Sequence, residues 1–297
     1  MLAMVETKQL SKNYKNNRGV HGMNMAIQQG EVVGIVGKNG AGKTTTMRML
    51  MGFIHPSAGS AAIRGMDAWT KAAKTKPLIG YVPGEIAFPD TKSGATFLQN
   101  ELALLRANKD EYVNELIQRF KIDLTADLRR MSKGMKQKTA LVCAFMTKPP
   151  LLLLDEPTTG LDPVMRDAFI DLILQVKAQG TTVFLSSHMF NELERTCDRI
   201  MFLKDGQVID VLDESKFAEI HAAQRVTIVA ATNDGFERLL TSDFEPVRQD
   251  PLHNTVVLLV PNDDEARLLQ LLGEVKLTDV SFDTQTLDNY FEKELEL

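Results

Sequence analysis

"EVVGIVGKNGAGKTTTMRML", residues 31–50, decides the fold. Residues 31 to 36 read as a short buried strand, and Gly37 to Thr44 fit the spacing G-x-x-x-x-G-K-[ST]. Met47, Leu50 and Met51 then set out the apolar stripe of a helix. Three glycines let the backbone curl so that successive N–H groups point inward, and the helix start adds its partial positive charge. The loop Gly37, Lys38, Asn39, Gly40, Ala41 and Gly42 is therefore expected to cradle phosphate. Lys43 would reach the β- and γ-phosphates, Thr44 would ligate Mg²⁺, and Thr45 follows in the same helical turn. The stretch predicts a nucleotide-binding P-loop on an α/β sheet.

A second stretch adds the chemistry. In "LLLLDEPTTGLDP" the apolar run Leu151 to Leu154 reads as a central parallel strand that ends in Asp155 and Glu156. Ligands of doubly wound sheets bind at the carboxyl ends of the strands, so both acids are expected beside the P-loop. Asp155 is the predicted Mg²⁺ partner, and Glu156 the predicted general base for an attacking water. A further strand, "TTVFLSSH", delivers a polar cluster closing on His188 to the same edge.

Composition bounds the rest. The 297 residues, 44% hydrophobic and 25% charged, suffice for one large domain and a smaller one. A net charge of −5 provides no global positive field to draw the chain to nucleic acid or to an anionic membrane surface, so no nucleic-acid partner is expected. Cys143 and Cys197 lack metal-ligand spacing and read as inert core thiols in a reducing compartment. No stretch approaches 18 apolar residues, and the N-terminus lacks a signal-peptide core.

"MSKGMKQK", residues 131–138, opens a helix whose face carries Leu141, Val142, Phe145 and Met146, with Ser132 as its natural N-cap. In order along the chain stand Gly37 to Thr44, this loop, Asp155 with Glu156, "TTGLD" and His188. With that order, residues 4 to 212 resemble the ATP-binding cassette (ABC) family, whose signature loop usually reads Leu-Ser-Gly-Gly-Gln. The resemblance implies a P-loop NTPase core with an antiparallel β subdomain and a helical subdomain. It also implies ATP with Mg²⁺, and a head-to-tail homodimer in which each ATP lies between one chain's P-loop and the other's signature. Ser132 and Gly134 would contact the partner's γ-phosphate, His188 would sense γ-phosphate within its own chain, and Asp162 would help couple the two sites. Tyr14, in "LSKNYKN", matches the family's adenine-stacking aromatic.

Two departures from the family pattern stand out. Lys133 takes a glycine's place in the signature, where a positive φ would cost about 1–2 kcal/mol. In "GYVPGEIAFPD" the family's Mg²⁺-contacting glutamine is replaced by Gly84, and Glu85 is the candidate substitute.

The domain reading is an ABC nucleotide-binding domain over 1–214, with its helical subdomain at about 88–145, and an accessory α+β domain over 215–297. The helical part rests on Phe97, Leu98, Leu102 and Leu105, then Val113, Leu116, Ile117 and Phe120. In the second domain, strand 225–230, helix 234–241, a weak strand near 244–248, strand 255–260, helix 263–272 and strand 275–282 follow the split β-α-β-β-α-β order of a ferredoxin-like module, before an amphipathic "TLDNYFEKELEL". Such an extension resembles bacterial exporter ATPase subunits with a separate permease. The resemblance implies a cytoplasmic protein, peripheral on the inner face of the cell membrane, that hydrolyses ATP to power an integral membrane permease. The alternative is a soluble ABC ATPase acting on ribosomes or DNA. That class wants two P-loops or a long coiled-coil insertion, whereas one P-loop is present and 87 residues lie between Thr44 and Ser132. A GTPase would want N-K-x-D, and the nearest match, "NKDE" at 108–111, ends in glutamate.

Overall fold

A computed structural model describes residues 3–15, 18–89, 93–105, 110–287 and 289–290. The chain forms two compact units, Met1–Leu212 and Asp213–Leu297.

In the first unit, β1 (Val5–Asn13) and β2 (Gly19–Ile27) form an antiparallel pair, and β3 (Val32–Val36) leads through the glycine loop into α1 (Lys43–Leu50). After β4 (Ala58–Ile63), β5 (Met66–Asp67) and the short α2 (Ala72–Thr75), the chain enters β6 (Ile79–Val82). Three helices follow: α3 (Gly94–Leu104), α4 (Glu111–Arg119) and α5 (Lys133–Phe145). The core then resumes with β7 (Leu151–Asp155), α6 (Pro163–Ala178), β8 (Thr182–Ser186), α7 (Phe190–Thr196), β9 (Arg199–Lys204) and β10 (Gln207–Asp213).

Six strands make the central sheet, in the order β10-β9-β3-β8-β7-β6. Its interior pairs are parallel, and β3, β7 and β8 are buried at every position, as their unbroken apolar runs require. A four-stranded sheet, β2-β1-β4-β5, is antiparallel. Helix α1 joins the two: its Met47 and Leu50 share one core with Ile35 of β3, Leu153 of β7 and Met23 and Met25 of β2. Packing on both sides fixes the start of α1 against the carboxyl ends of β3 and β7.

Caps punctuate the helices of the first unit. Ser93 caps α3, Asp110 caps α4, Ser132 caps α5 and Asp162 caps α6, each side chain accepting an N–H of the first turn. Pro163 is the first residue of α6, and Gly180, at φ +86°, follows its end. Phe97, Leu98, Leu102, Val113, Leu116 and Phe120 are buried as their spacing predicts, while Leu105 at the end of α3 is exposed. Asn108 and Lys109 of the guanine-type stretch lie outside the described residues, and Glu111 begins α4.

The second unit opens with α8 (Glu214–His221), a helix absent from the sequence reading although Asp213, which accepts the amides of Ser215 and Lys216, is a legible cap. Then come β11 (Ala223–Ala230), α9 (Asn233–Leu240), β12 (Glu245–Asp250), β13 (Thr255–Pro261), α10 (Glu265–Glu274) and β14 (Leu277–Thr284). The sheet order is β12-β13-β11-β14, and every pair is antiparallel. Alternation explains its single buried face: Val226, Ile228 and Ala230 meet Val256, Leu258 and Val260 under Phe236, Leu239, Leu268 and Leu271 of the two helices. Residues 288 and 291–297 of the closing amphipathic stretch lie outside the described residues.

Candidate active site

The P-loop is shaped by contacts that exclude side chains. A Cβ on Gly37 would fall 2.2 Å from the carbonyl oxygen of Leu203 in β9, so the backbones touch there as only glycine allows. Gly40 and Gly42 hold φ of +89° and +111°. Gly42 is the N-cap of α1 and brings no side chain to the first-turn N–H groups, which are thus open to an anion. Lys38, Asn39 and Gly40 are exposed, Ala41 is buried, and Thr44 and Thr45 are half-buried in the first turn. Lys43 is only 7% exposed and folds back over the loop: its Nζ donates to Gly37 O and lies 3.7 Å from Glu156 Oε1.

The two acids differ sharply in environment. Asp155 is fully buried; its Oδ1 accepts the Ser186 hydroxyl at 2.7 Å, while its Oδ2 has no partner. A Cβ placed on Gly84 would sit 3.0 Å from that bare Oδ2. An unsatisfied buried carboxylate oxygen is costly, and a bound cation removes the cost. Mg²⁺ fits this donor set, because it takes one or two carboxylates and fills its octahedron with phosphate oxygens and water. No group of three or more His, Cys, Asp and Glu gathers among the described residues, so an all-protein metal cage is absent there.

Glu156 adopts φ +50°, a left-handed conformation that costs a non-glycine residue about 1–3 kcal/mol. Its N–H donates to Ser186 Oγ at 2.9 Å, and the turn aims its carboxylate between the Lys43 ammonium and the His188 ring. His188 Nδ1 lies 2.7 Å from Glu156 Oε2, on the side away from Lys43. Lys43, Glu156 and His188, far apart in sequence, thus meet at the edge formed by β3, β7 and β8. The parallel register pairs Asp155 with Ser186 and explains the bridge. Ser186 was legible in "LSSH" only as part of a polar cluster; its link to both acids comes from that register.

The signature residues form a separate contact. Ser132 is exposed and its hydroxyl accepts Met135 N–H. Lys133 is the first residue of α5 and is not among the positive-φ residues, so the penalty weighed for it does not arise. Its stem lies 3.4 Å from where a Cβ on Gly160 would be, and a Cβ on Gly134 would fall 2.6 Å from Gly160 O. Buried Gln137 donates to Pro157 O at 2.7 Å, tying α5 to the segment after Glu156. Among the described residues, no hydrogen bond or ion pair joins Ser132 or Gly134 to Lys43, Glu156 or His188.

Asp162 is exposed and spends its Oδ1 on Met165 N–H at 2.9 Å. Glu85 is exposed and makes no hydrogen bond or ion pair among the described residues; Gly84 is the one set against Asp155. Tyr14 is 47% exposed, with Lys12 Nζ 5.7 Å from its ring centre.

Comparison with known proteins gives these features a family. The ABC transporter family model matches residues 20–159. The ABC transporter ATP-binding protein YtrB of Bacillus subtilis is 33% identical over 217 residues, covering 73% of this chain and 74% of the relative. The Nod factor export ATP-binding protein I of Burkholderia pseudomallei is 34% identical over 216 residues, 70% of each chain. Among solved structures, an ATP-binding subunit of an ABC transporter superposes with a TM-score of 0.66 at 29% identity, covering 73% of this chain and 92% of that one. A dimeric ATP-binding cassette in a post-hydrolysis state bound to ADP and Pi shares the fold, with a TM-score of 0.64 at 23% identity over 71% of this chain and 98% of that one. Identity of this level over most of both chains, on a sheet that brings the P-loop to the two acids, means that the chain belongs to the ABC transporter ATP-binding protein family.

Proposed function

We propose that the chain is the ATP-hydrolysing subunit of an exporter, working as a head-to-tail homodimer on a separate integral membrane permease from the inner face of the membrane. The observation that carries the reading is the convergence of Lys43 and His188 on the strained Glu156, beside the bare Oδ2 of Asp155. Export draws support from the Nod factor export relative. Among the described residues no helix is long and apolar enough to cross a membrane, and in this reading the permease supplies the membrane path.

Each residue then has a task. Gly37 to Thr45 offer N–H groups and the helix start to the phosphates, and Lys43 turns from Gly37 O to the terminal phosphate oxygens. Asp155 and Thr44 would hold Mg²⁺, with Glu85 a candidate to reach it through water in place of the missing glutamine. The ion would neutralise phosphate charge. Glu156 takes a proton from the attacking water as ADP leaves, and His188 holds that carboxylate by its hydrogen bond while sensing the γ-phosphate. Ser132 and Gly134 face the γ-phosphate held by the partner chain, Asp162 links the two sites, and Tyr14 stacks on adenine.

The test is to purify Glu156→Gln with ATP from detergent-solubilised membranes of the native host and identify what accompanies it. The expected result is retained ATP binding, turnover lower by at least about 100-fold, and a multi-span membrane protein in near-equal amount. Ribosomal or DNA-repair proteins in its place would move the chain to the soluble class, and normal hydrolysis would remove Glu156 as base.

A further inference from the structure

Glu192 lies in the first turn of α7 and is 2% exposed. A glutamate three residues after a helix cap ordinarily folds back to the amide of the cap. Here the cap is Met189, and its N–H donates instead to Ser187 Oγ at 3.0 Å. The Glu192 carboxylate is thereby released into the gap between two loops. One oxygen, Oε2, accepts both Thr158 Oγ1 at 2.8 Å and Ser187 Oγ at 2.9 Å, and the other, Oε1, is buried with no partner.

Those two hydroxyls belong to segments with separate duties. Thr158 follows Glu156 by two residues and precedes Gly160, whose carbonyl meets Gly134 at the start of α5. Ser187 immediately precedes His188, which holds Glu156. A single acceptor shared by both fixes their separation, since neither loop can move without losing a bond to the same oxygen. Burying a carboxylate behind two hydroxyl bonds, with one oxygen left bare, costs free energy that mere loop closure does not require.

We propose that Glu192 is a positioning residue for hydrolysis: it clamps the His188 loop to the loop behind Glu156, so that the His188–Glu156 pair and the Gly160 contact with α5 move as one. The inference rests on the reading of Glu156 and His188 given above.

The test compares Glu192→Ala and Glu192→Gln in the full chain, with Glu156→Gln and His188→Ala alongside. Three readouts are taken: steady-state ATP hydrolysis, nucleotide affinity, and amide exchange of residues 158–162 and 187–189. Glu192→Ala is expected to lower kcat by about 10- to 100-fold with affinity unchanged, the scale of a misplaced catalytic group. Exchange should quicken in both segments together. Glu192→Gln keeps a carbonyl oxygen that accepts both hydroxyls and should recover most of both signals. In a His188→Ala background, loss of Glu192 should cost little more, because the geometry it serves is already gone.

Wild-type turnover and exchange in Glu192→Ala would overturn the clamp. So would a loss of affinity in step with kcat and no recovery by glutamine, which describe a general folding defect. If Glu156→Gln hydrolyses ATP normally, the site reading falls and exchange alone judges the clamp. If Glu156→Gln is inactive while Glu192→Ala is normal, only the clamp falls.

Discussion

Gly134→Ala sets two forces of opposite sign against each other. Gly134 is the second residue of α5, and helix propensity alone favours alanine over glycine there by at most about 1 kcal/mol. The structure opposes that gain: the new Cβ would fall 2.6 Å from Gly160 O, far inside a normal carbon–oxygen contact. The obstacle is a backbone carbonyl on a glycine held at φ +83°, in a segment anchored by Gln137 at Pro157 O and by Glu192 at Thr158, so it cannot swing aside as a flexible side chain would. Overpacking of this kind costs about 1–3 kcal/mol, which leaves a net loss of roughly 0–2 kcal/mol when the full propensity gain is set against it. The only tryptophan, Trp69, lies in the first unit and reports its unfolding separately from the second. Thermal unfolding followed by Trp69 fluorescence should show a midpoint lower by as much as roughly 8 °C, at about 2–4 °C per kcal/mol for a unit of this size. Hydrolysis should fall too, because the same contact sets the approach of Gly134 to the loop behind Glu156. A raised midpoint with unchanged hydrolysis would refute the reasoning, for it would mean that the two backbones separate freely and propensity wins.

The same substitution at Gly273 should have the opposite sign: it lies in α10 with nothing within 4 Å of a new Cβ, so Gly273→Ala is expected to stabilise the second unit by up to about 1 kcal/mol, measured by amide exchange in that unit. Cys143 and Cys197 have thiols pushed up to about 12, chiefly by burial, so at pH 8 the native protein should react slowly with a thiol reagent and the denatured protein should yield both thiols at once. Burial first and the Asp155 charge second push Tyr81 up to about 12, whereas the unfolded phenol ionises near 10. Between those values the folded state binds more protons than the unfolded one, so this contribution is complete below about pH 10 and is lost as pH rises toward 12. Urea unfolding across that window should therefore fall less steeply in Tyr81→Phe than in the parent.

The sequence by itself determined whatever is local. The glycine spacing of residues 37–44, the unbroken apolar runs of β3, β7 and β8, and the caps Ser132 and Asp162 act through neighbours in the chain, and each appears where its pattern places it. The succession of strands and helices along the second unit was also legible, because alternating burial and turn residues mark each element, although α8 was missed and the order of strands across the sheet was not legible. Tertiary structure alone decided what depends on register and on backbone approach. Only the parallel pairing of β7 with β8 sets Ser186 beside Asp155, and only the left-handed turn at Glu156 brings its carboxylate to Lys43 and His188. Lys133 departs from the family's letters without strain because α5 begins at that residue, as the Ser132 cap implies, and what the fold adds is the packing of its stem against Gly160. The diversion of Glu192 from its own helix cap to Thr158 and Ser187 lay equally out of reach. A short-range pattern predicts which local bond a side chain can make, while the fold decides which distant group outbids it.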